Sequence, residues 1–206
     1  MKLLKKGAEG YIFLTLWNKK KVILKARKKK NYRNPSLDQR IRKQRTIREC
    51  EIISAVKSFG IHTPLIYYMD TKNCTILMQY IPGILVSELS ELKLVKACIE
   101  IGRIVGVMHK NGIMHGDLTT SNFIVSHEKM FVLDFGLANK TKKPEDHAVD
   151  LRLFKEILTS AHVQIMDKSW SNFLKGYKTV VGSARFNKIT NLVTVIESRG
   201  RYANVV

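Results

Sequence analysis

From residue 3 to residue 27 the apolar positions come as short runs of β-branched and aromatic residues. Leu3-Leu4 leads to Gly7-Ala8-Glu9-Gly10, then to Tyr11-Ile12-Phe13-Leu14-Thr15-Leu16-Trp17, a polar turn at Asn18-Lys19, and Val22-Ile23-Leu24-Lys25. Such runs, split by a glycine-bearing turn and a polar turn, predict a three-stranded antiparallel meander. The period then becomes helical. Pro35-Ser36 opens this region, with Ser36 and Gln39 spaced as a capping box and Asp38 suited to the first turn. Leu37, Ile41, Ile52, Ile53 and Val56 mark apolar faces of two helices with a break near residues 43–46, and Phe59-Gly60 with Pro64 beyond is a stop signal. Leu65–Met69 and Cys74–Met78, joined by Asp70-Thr71-Lys72-Asn73, read as a second hairpin. Gln79-Tyr80-Ile81-Pro82-Gly83 follows as an extended segment ended by Pro-Gly.

Beyond that segment the pattern is mainly helical. Leu94, Val95, Cys98, Ile101, Gly102, Val105 and Met108 fit one buried helical stripe, closed by Lys110-Asn111-Gly112. His109, at its end, reads as a packed core histidine. Ile113-Met114, Phe123-Ile124-Val125 and Met130-Phe131-Val132-Leu133 read as short strands. Pro144 suits the first turn of the next helix, Glu145 and Asp146 favour its positive end, and Leu151, Phe154, Ile157 and Leu158 continue it. Two further helices are expected around Trp170–Tyr177 and Ile189–Ile196, then a basic tail at Arg199-Gly200-Arg201-Tyr202. The fold class is α+β: a sheet-bearing part over residues 1–78, a connecting hinge at 79–83, and a mainly helical part over 84–206.

Composition adds a partner class. The 206 residues are 45% hydrophobic and 26% charged, which suits a globular chain with an ample core. Thirty-six Lys+Arg against 17 Asp+Glu leave a net charge of +19, and an excess of that size implies a polyanionic partner, nucleic acid before a membrane surface. Cys50, Cys74 and Cys98 are odd in number and lack a C-x-x-C pair, which argues for reduced thiols and against a zinc site. Charge interrupts Met1-Lys2-Leu3-Leu4-Lys5-Lys6 before a signal-peptide core can form, and no apolar run approaches spanning length. A soluble, cytoplasmic protein is expected.

The candidate chemistry lies between His115 and Gly136. His115-Gly116-Asp117-Leu118-Thr119-Thr120-Ser121-Asn122 places an Asn five positions after an Asp, and Asp134-Phe135-Gly136 follows. Asp, Asn and Gly also crowd ordinary turns, so either half alone would say little. Together, and flanked by short strands, they have the layout of a protein-kinase catalytic centre. Phosphoryl transfer from ATP needs a carboxylate at the acceptor hydroxyl, Asp117, and oxygen ligands for Mg2+, Asn122 and Asp134. Lys25 ends a V-I-L-K strand where the kinase pattern has its phosphate-gripping lysine. Glu49 is preferred over Glu51 as the helix glutamate that orients it. Gly7 and Gly10 bracket a turn whose N–H groups could lie over phosphates, and the backbone of Gln79-Tyr80-Ile81 would meet the adenine edge.

These segments resemble a known family, the small atypical kinase of the KEOPS complex. The resemblance rests on His115–Asn122, Gly7-Ala8-Glu9, Tyr32-Arg33, Leu37-Asp38, Arg45-Thr46 with Glu49, Asp134–Leu137, Ala148-Val149-Asp150-Leu151 and Arg199-Gly200-Arg201. It implies a two-lobed protein-kinase-like fold, with N-lobe 1–78, hinge 79–83, and a reduced C-lobe 84–206 carrying the basic tail. It also implies ATP and Mg2+ as cofactors, Asp117 and Lys25 as catalytic residues, and nucleotide binding by Gly7, Ala8, Glu9, Gly10, Lys25, Glu49, Gln79, Ile81, Asn122 and Asp134. Asp150 would brace the catalytic loop through its backbone. The implied partners are other KEOPS subunits, chiefly the threonylcarbamoyl-transferase subunit, and tRNA, in support of threonylcarbamoyladenosine formation. The chain departs from the family at Gly10, where alanine is usual, and at Tyr202, where a basic residue is expected. Gly116 replaces the arginine that reads activation-loop phosphate in many kinases, and no A-P-E segment follows Asp134-Phe135-Gly136. Other readings are a RIO-like or small-molecule kinase, and a pseudokinase serving as a tRNA-binding scaffold.

Overall fold

Local pairing rules build the first part of the chain in the computed structural model, which describes residues 1–7 and 10–202. Strands β1 (Lys2–Lys6), β2 (Gly10–Trp17) and β3 (Lys20–Arg27) form the expected meander. The β2–β3 turn is tight, with Asn18 at φ 48° and Lys19 at φ 63°, the left-handed pair that matches strand twist. Gly7 N–H donates to the Gly10 carbonyl at 2.9 Å and closes the turn before β2. At Gly10 a methyl group would stand 2.3 Å from the Ala26 carbonyl oxygen, so the alanine usual in the family has no room here.

The region after β3 is one helix, α1 (Pro35–Ser58), and the break expected near residues 43–46 does not occur. Apolar periodicity fades there because this helix buries polar groups: Asp38, Thr46 and Glu49 are enclosed along with Ile52, Ile53 and Val56. Thr46 Oγ1 donates to the Arg42 carbonyl at 2.8 Å and stays satisfied inside the helix. Leu37, read as part of an apolar face, is exposed. The cap also differs from expectation. Asn34 caps α1 by accepting from Ser36 N at 3.0 Å, while Gln39 reaches across to the Lys72 carbonyl. Asp38 is not a surface charge on the helix dipole; it accepts from Lys30 N and Arg42 Nε.

Strands β4 (Ile66–Asp70) and β5 (Thr75–Gln79) complete a five-stranded antiparallel sheet in the order β1-β2-β3-β5-β4. Strand β6 (Ile84–Leu85) then enters the helical part and pairs with β8. There follow α2 (Glu91–Lys110), β7 (Ile113–Met114), β8 (Phe123–Ser126), β9 (Lys129–Val132), β10 (Asn139–Lys140), α3 (Pro144–Ala161), α4 (Met166–Val181) and α5 (Ser183–Tyr202). The predicted stripe of α2 is buried except at Val95, which is half-buried, and Leu151, Phe154, Phe173, Tyr177 and Ile189 from α3, α4 and α5 pack with it. Gly102 and Gly176 let α2 and α4 touch backbone to backbone: a methyl on Gly176 would lie 1.9 Å from the Ile99 carbonyl oxygen. Helix α5 runs past the expected end at Ile196, so Arg199 lies on a helix and not on an extended tail.

Candidate active site

Strand alternation decides which side chains reach the site. Residues two apart on a strand share a face, and Ile23, Lys25 and Arg27 of β3 all line one connected space between the sheet and the β8–β9 hairpin. Lys25 Nζ donates to Glu49 Oε1 and to Asp134 Oδ1, each at 2.6 Å. The other oxygen of Glu49 accepts from Arg27 Nη2, also at 2.6 Å. Glu49 is fully buried, so α1 is tied to β3 by one carboxylate shared between two cations. Glu51 is exposed and takes no part.

Burial disfavours the Lys25 ammonium, but the carboxylates of Glu49 and Asp134 outweigh it and raise its pKa above the ordinary lysine value. Burial also pushes the Asp134 carboxyl up. The Lys25 charge, with hydrogen bonds from Lys25 and the Gly136 amide, brings it down to about 2. Both groups are therefore charged at neutral pH.

Asp117 and Asn122 meet across a single turn. Asn122 Nδ2 donates to the Asp117 carbonyl at 2.8 Å and to its Oδ2 at 3.0 Å. The loop is held from behind by Asp150 of α3, which accepts from His115 N at 2.5 Å and Gly116 N at 2.7 Å. His109 Nε2 adds a third contact to Asp150 at 3.2 Å, and its Nδ1 meets the Tyr177 hydroxyl at 2.9 Å, so the core histidine also serves the loop. Gly116 sits at φ +78°, and a methyl there would stand 2.5 Å from the Leu137 carbonyl oxygen. No arginine could occupy that position with this backbone. After Gly136 the chain turns straight back: β10 pairs with β7 and Thr141 N donates to the Gly112 carbonyl at 2.8 Å.

The motif residues surround two adjoining cavities. The larger, about 500 Å³, is lined by Lys25, Gln79, Ile81, Asn122 and Asp134 with an apolar wall from Ile23, Met78 and Leu133. The smaller, about 350 Å³, is lined by Gly7, Gly10, Arg27, Asp117 and Gly136, and shares Lys5, Ile12, Lys25 and Asp134 with the first. Ala8 and Glu9 lie outside the described residues. A larger recess of about 630 Å³ between the end of α1, α2 and the β8–β9 hairpin holds none of these residues, so size alone does not mark the site. Arg27 opens the run Arg27-Lys28-Lys29-Lys30-Asn31-Tyr32-Arg33, which by composition reads as a solvated basic loop, yet Arg27 itself is 6% exposed. Its signal was the even spacing from Lys25. Among the described residues no cluster of three or more His, Cys, Asp or Glu side chains could hold a metal, and no helix is long and apolar enough to cross a membrane.

The support under the catalytic loop predicts a pH response. Burial holds His109, His115 and His147 below the ordinary histidine range, His147 at about 4. A folded-state pKa below the unfolded value means that the unfolded chain binds more protons between the two. The stability of these groups is therefore complete above about pH 6.5 and is lost as pH falls toward their folded values. Thermal melts from pH 8 to pH 4 should show a flat region followed by a decline that begins near 6.5. A melting temperature unchanged down to pH 4.5 would contradict this reading.

A lysine–glutamate pair, an Asp with an Asn five residues on, and an Asp-Phe-Gly, gathered between an antiparallel sheet and a helical part, define a protein kinase. The protein kinase domain family matches residues 1–171, and the chain belongs to that family of phosphotransferases. Within it, the chain is 42% identical to KEOPS complex subunit Bud32 of Pyrococcus abyssi over 212 residues, covering 98% of this chain and 96% of that one. This protein is a member of the Bud32 family. It is also 44% identical over 200 residues to a probable bifunctional tRNA threonylcarbamoyladenosine biosynthesis protein of Methanocaldococcus jannaschii, covering 97% of this chain but only 37% of that longer protein. Among solved structures, the Rio2 kinase of Chaetomium thermophilum in an ADP/Mg2+-phosphoaspartate complex shares the fold at TM-score 0.62 and 13% identity, over 99% of this chain and 72% of that one.

Proposed function

We propose that this chain is the ATP- and Mg2+-dependent subunit of a KEOPS assembly, a non-specific serine/threonine kinase with ATPase activity that supports threonylcarbamoyladenosine formation on tRNA. The observation that carries this reading is Lys25, bridged between Glu49 and Asp134 in the same cavity that Asn122 lines. Residues 1–78 act as the N-lobe, 79–83 as a hinge whose backbone takes the adenine edge, and 84–206 as the C-lobe. In this reading Lys25 holds the α- and β-phosphates and Glu49 orients it. Asp117 accepts the proton of the acceptor hydroxyl as the new O–P bond forms and the bond to ADP breaks. The donors present suit Mg2+. The Asn122 amide nitrogen is committed to Asp117 and one Asp134 oxygen to Lys25 and Gly136, which leaves one oxygen on each side chain for a cation. Two oxygen ligands with no dedicated cage are what Mg2+ uses when phosphates and waters complete its shell. When bound there, it neutralises charge on the triphosphate.

The names of the relatives support the assembly and its tRNA, and the net charge of +19 supports a polyanionic partner. In the bifunctional relatives nearly two thirds of the polypeptide lies outside the matched stretch, which favours a transferase partner working beside this chain. A cytoplasmic location suits tRNA work. The RIO-like alternative shares only the fold, at 13% identity, against 42% for Bud32. The basic run at residues 27–33 contributes less to tRNA than its composition suggests, since Arg27 is internal and Arg33 lies 3.9 Å from Asp38. The test is ATP turnover by the purified chain alone, with partner subunits, and with tRNA. Slow basal turnover that vanishes on chelating Mg2+ and rises with partners and tRNA is expected. Turnover that persists in excess EDTA would sink the assignment.

A further inference from the structure

Arg27 is the second buried cation of the site, and the chemistry above leaves most of its donors without a task. It lies on β3 two residues beyond Lys25, and its side chain is 3% exposed. Nη2 is used, donating to Glu49 Oε2 at 2.6 Å and to the Arg45 carbonyl at 3.3 Å. Nε and Nη1 are buried and have no partner among the described residues. A guanidinium stays charged and carries five N–H donors in a fixed fork, so buried donors without acceptors are costly unless a bound molecule supplies them. The cavity beside this side chain is the smaller one, which Arg27 lines together with Lys25, Asp117 and Asp134.

Two further observations indicate what the molecule carries. A methyl group on Gly136 would stand 3.1 Å from Asp134 Oδ1, 3.4 Å from Arg27 Nη2 and 3.5 Å from Lys25 Nζ, so both cations meet Asp134 at the Gly136 wall of this cavity. Asp117 and Asp134 line this cavity, and Glu49 holds Lys25 and Arg27 from outside it, so three carboxylates stand against two cations. Holding a further anion there needs both. Glu49 already has a cation in Lys25, and the Arg27 fork matches phosphate oxygens better than a point charge would.

We propose that Arg27 binds the terminal phosphate of the nucleotide, supplied from within the sheet where other phosphoryl-transfer enzymes bring an arginine from elsewhere. Lys25 grips the inner phosphates, and Arg27 meets the group that is transferred. This rests on the reading of the cavity as an ATP site. The experiment compares Mg-ADP with a non-hydrolysable Mg-ATP analogue, binding each by calorimetry to the wild type, Arg27→Met and Arg27→Lys. The Met variant should lose about tenfold or more affinity for the triphosphate and less than about threefold for ADP. The Lys variant, which keeps a charge for Glu49, should fall between and secures the comparison if the Met variant does not fold. Equal losses for both nucleotides would show that Arg27 acts only by holding Glu49, and no loss for either would make it a bystander; each overturns the proposal. A wild type that binds neither nucleotide would instead overturn the ATP reading on which it rests.

Discussion

Asp134→Ala is expected to lower ATP turnover about a hundredfold to a thousandfold while the protein still unfolds in one cooperative step. The carboxylate pins Lys25 Nζ at 2.6 Å, and in the proposed function its remaining oxygen is the one offered to Mg2+. Both are lost together. The fold should survive because Lys25 keeps Glu49 as its partner, so no buried charge is left alone. Asp134 is also a third exposed at its side chain, which limits what its removal can cost in stability. Asp117→Ala should cost a comparable factor through loss of the proposed base, about a hundredfold or more, with the Asn122 amide still held by the backbone carbonyl of residue 117. Turnover and thermal melts on the same preparations check both. Near-normal turnover in Asp134→Ala would falsify the site.

Asp150→Ala should act the other way, chiefly on stability. Its carboxylate accepts from His115 N, Gly116 N and His109, all inside the protein, and the aspartate is fully buried. Burial alone would push its pKa up, but the histidine contacts and amide hydrogen bonds hold it below the ordinary carboxylate range, so it is a charged acceptor. Alanine removes the acceptor and strands two buried donors, on His115 and His109, and a part-buried one on Gly116. The expected loss is about 3 kcal/mol or more, from roughly 1–3 kcal/mol for each donor left unsatisfied, read as a shift in the urea midpoint. Asp150→Asn keeps the shape but turns an N–H pair toward groups that need an oxygen, so it should recover only part of that. A loss below about 1 kcal/mol in Asp150→Ala would show that water or a shifted loop takes over its contacts.

Much of this site was legible because its chemistry sits on short-range rules. The meander, both hairpins and the α2 stripe follow from period and turn residues alone. Asp117, Asn122 and Asp134 were placed by spacing, and Lys25 and Glu49 by position relative to them. What escaped was polar burial. The middle of α1 looked like a break because Thr46 and Glu49 occupy positions where apolar residues would have declared the helix. Asn34 before Pro35 is a readable start signal, an N-cap before a first-turn proline, overshadowed by the capping-box spacing that begins two residues on at Ser36. Arg27 was hidden by its basic neighbours, though strand alternation puts it beside Lys25. The need for glycine at position 116 lies in a contact with Leu137, and no local pattern reports a long-range clash.

The double tie on Glu49 bears on how this kinase could be inhibited. Many kinase inhibitors exploit a state in which the glutamate-bearing helix has moved away and opened a pocket behind the lysine. Here that movement would break contacts from Lys25 and Arg27 at once, taking the fully buried Glu49 carboxylate from both and leaving the buried Arg27 guanidinium without its counter-charge. A ligand can shift an equilibrium only by its differential affinity for the two states, and separating such a cluster costs several kcal/mol. Compounds that need the helix displaced should therefore bind poorly, whereas compounds filling the apolar wall of Ile23, Met78 and Leu133 meet a surface already formed. Selectivity against this protein is best sought in that wall, not in a pocket that opens only when α1 gives up both ion pairs.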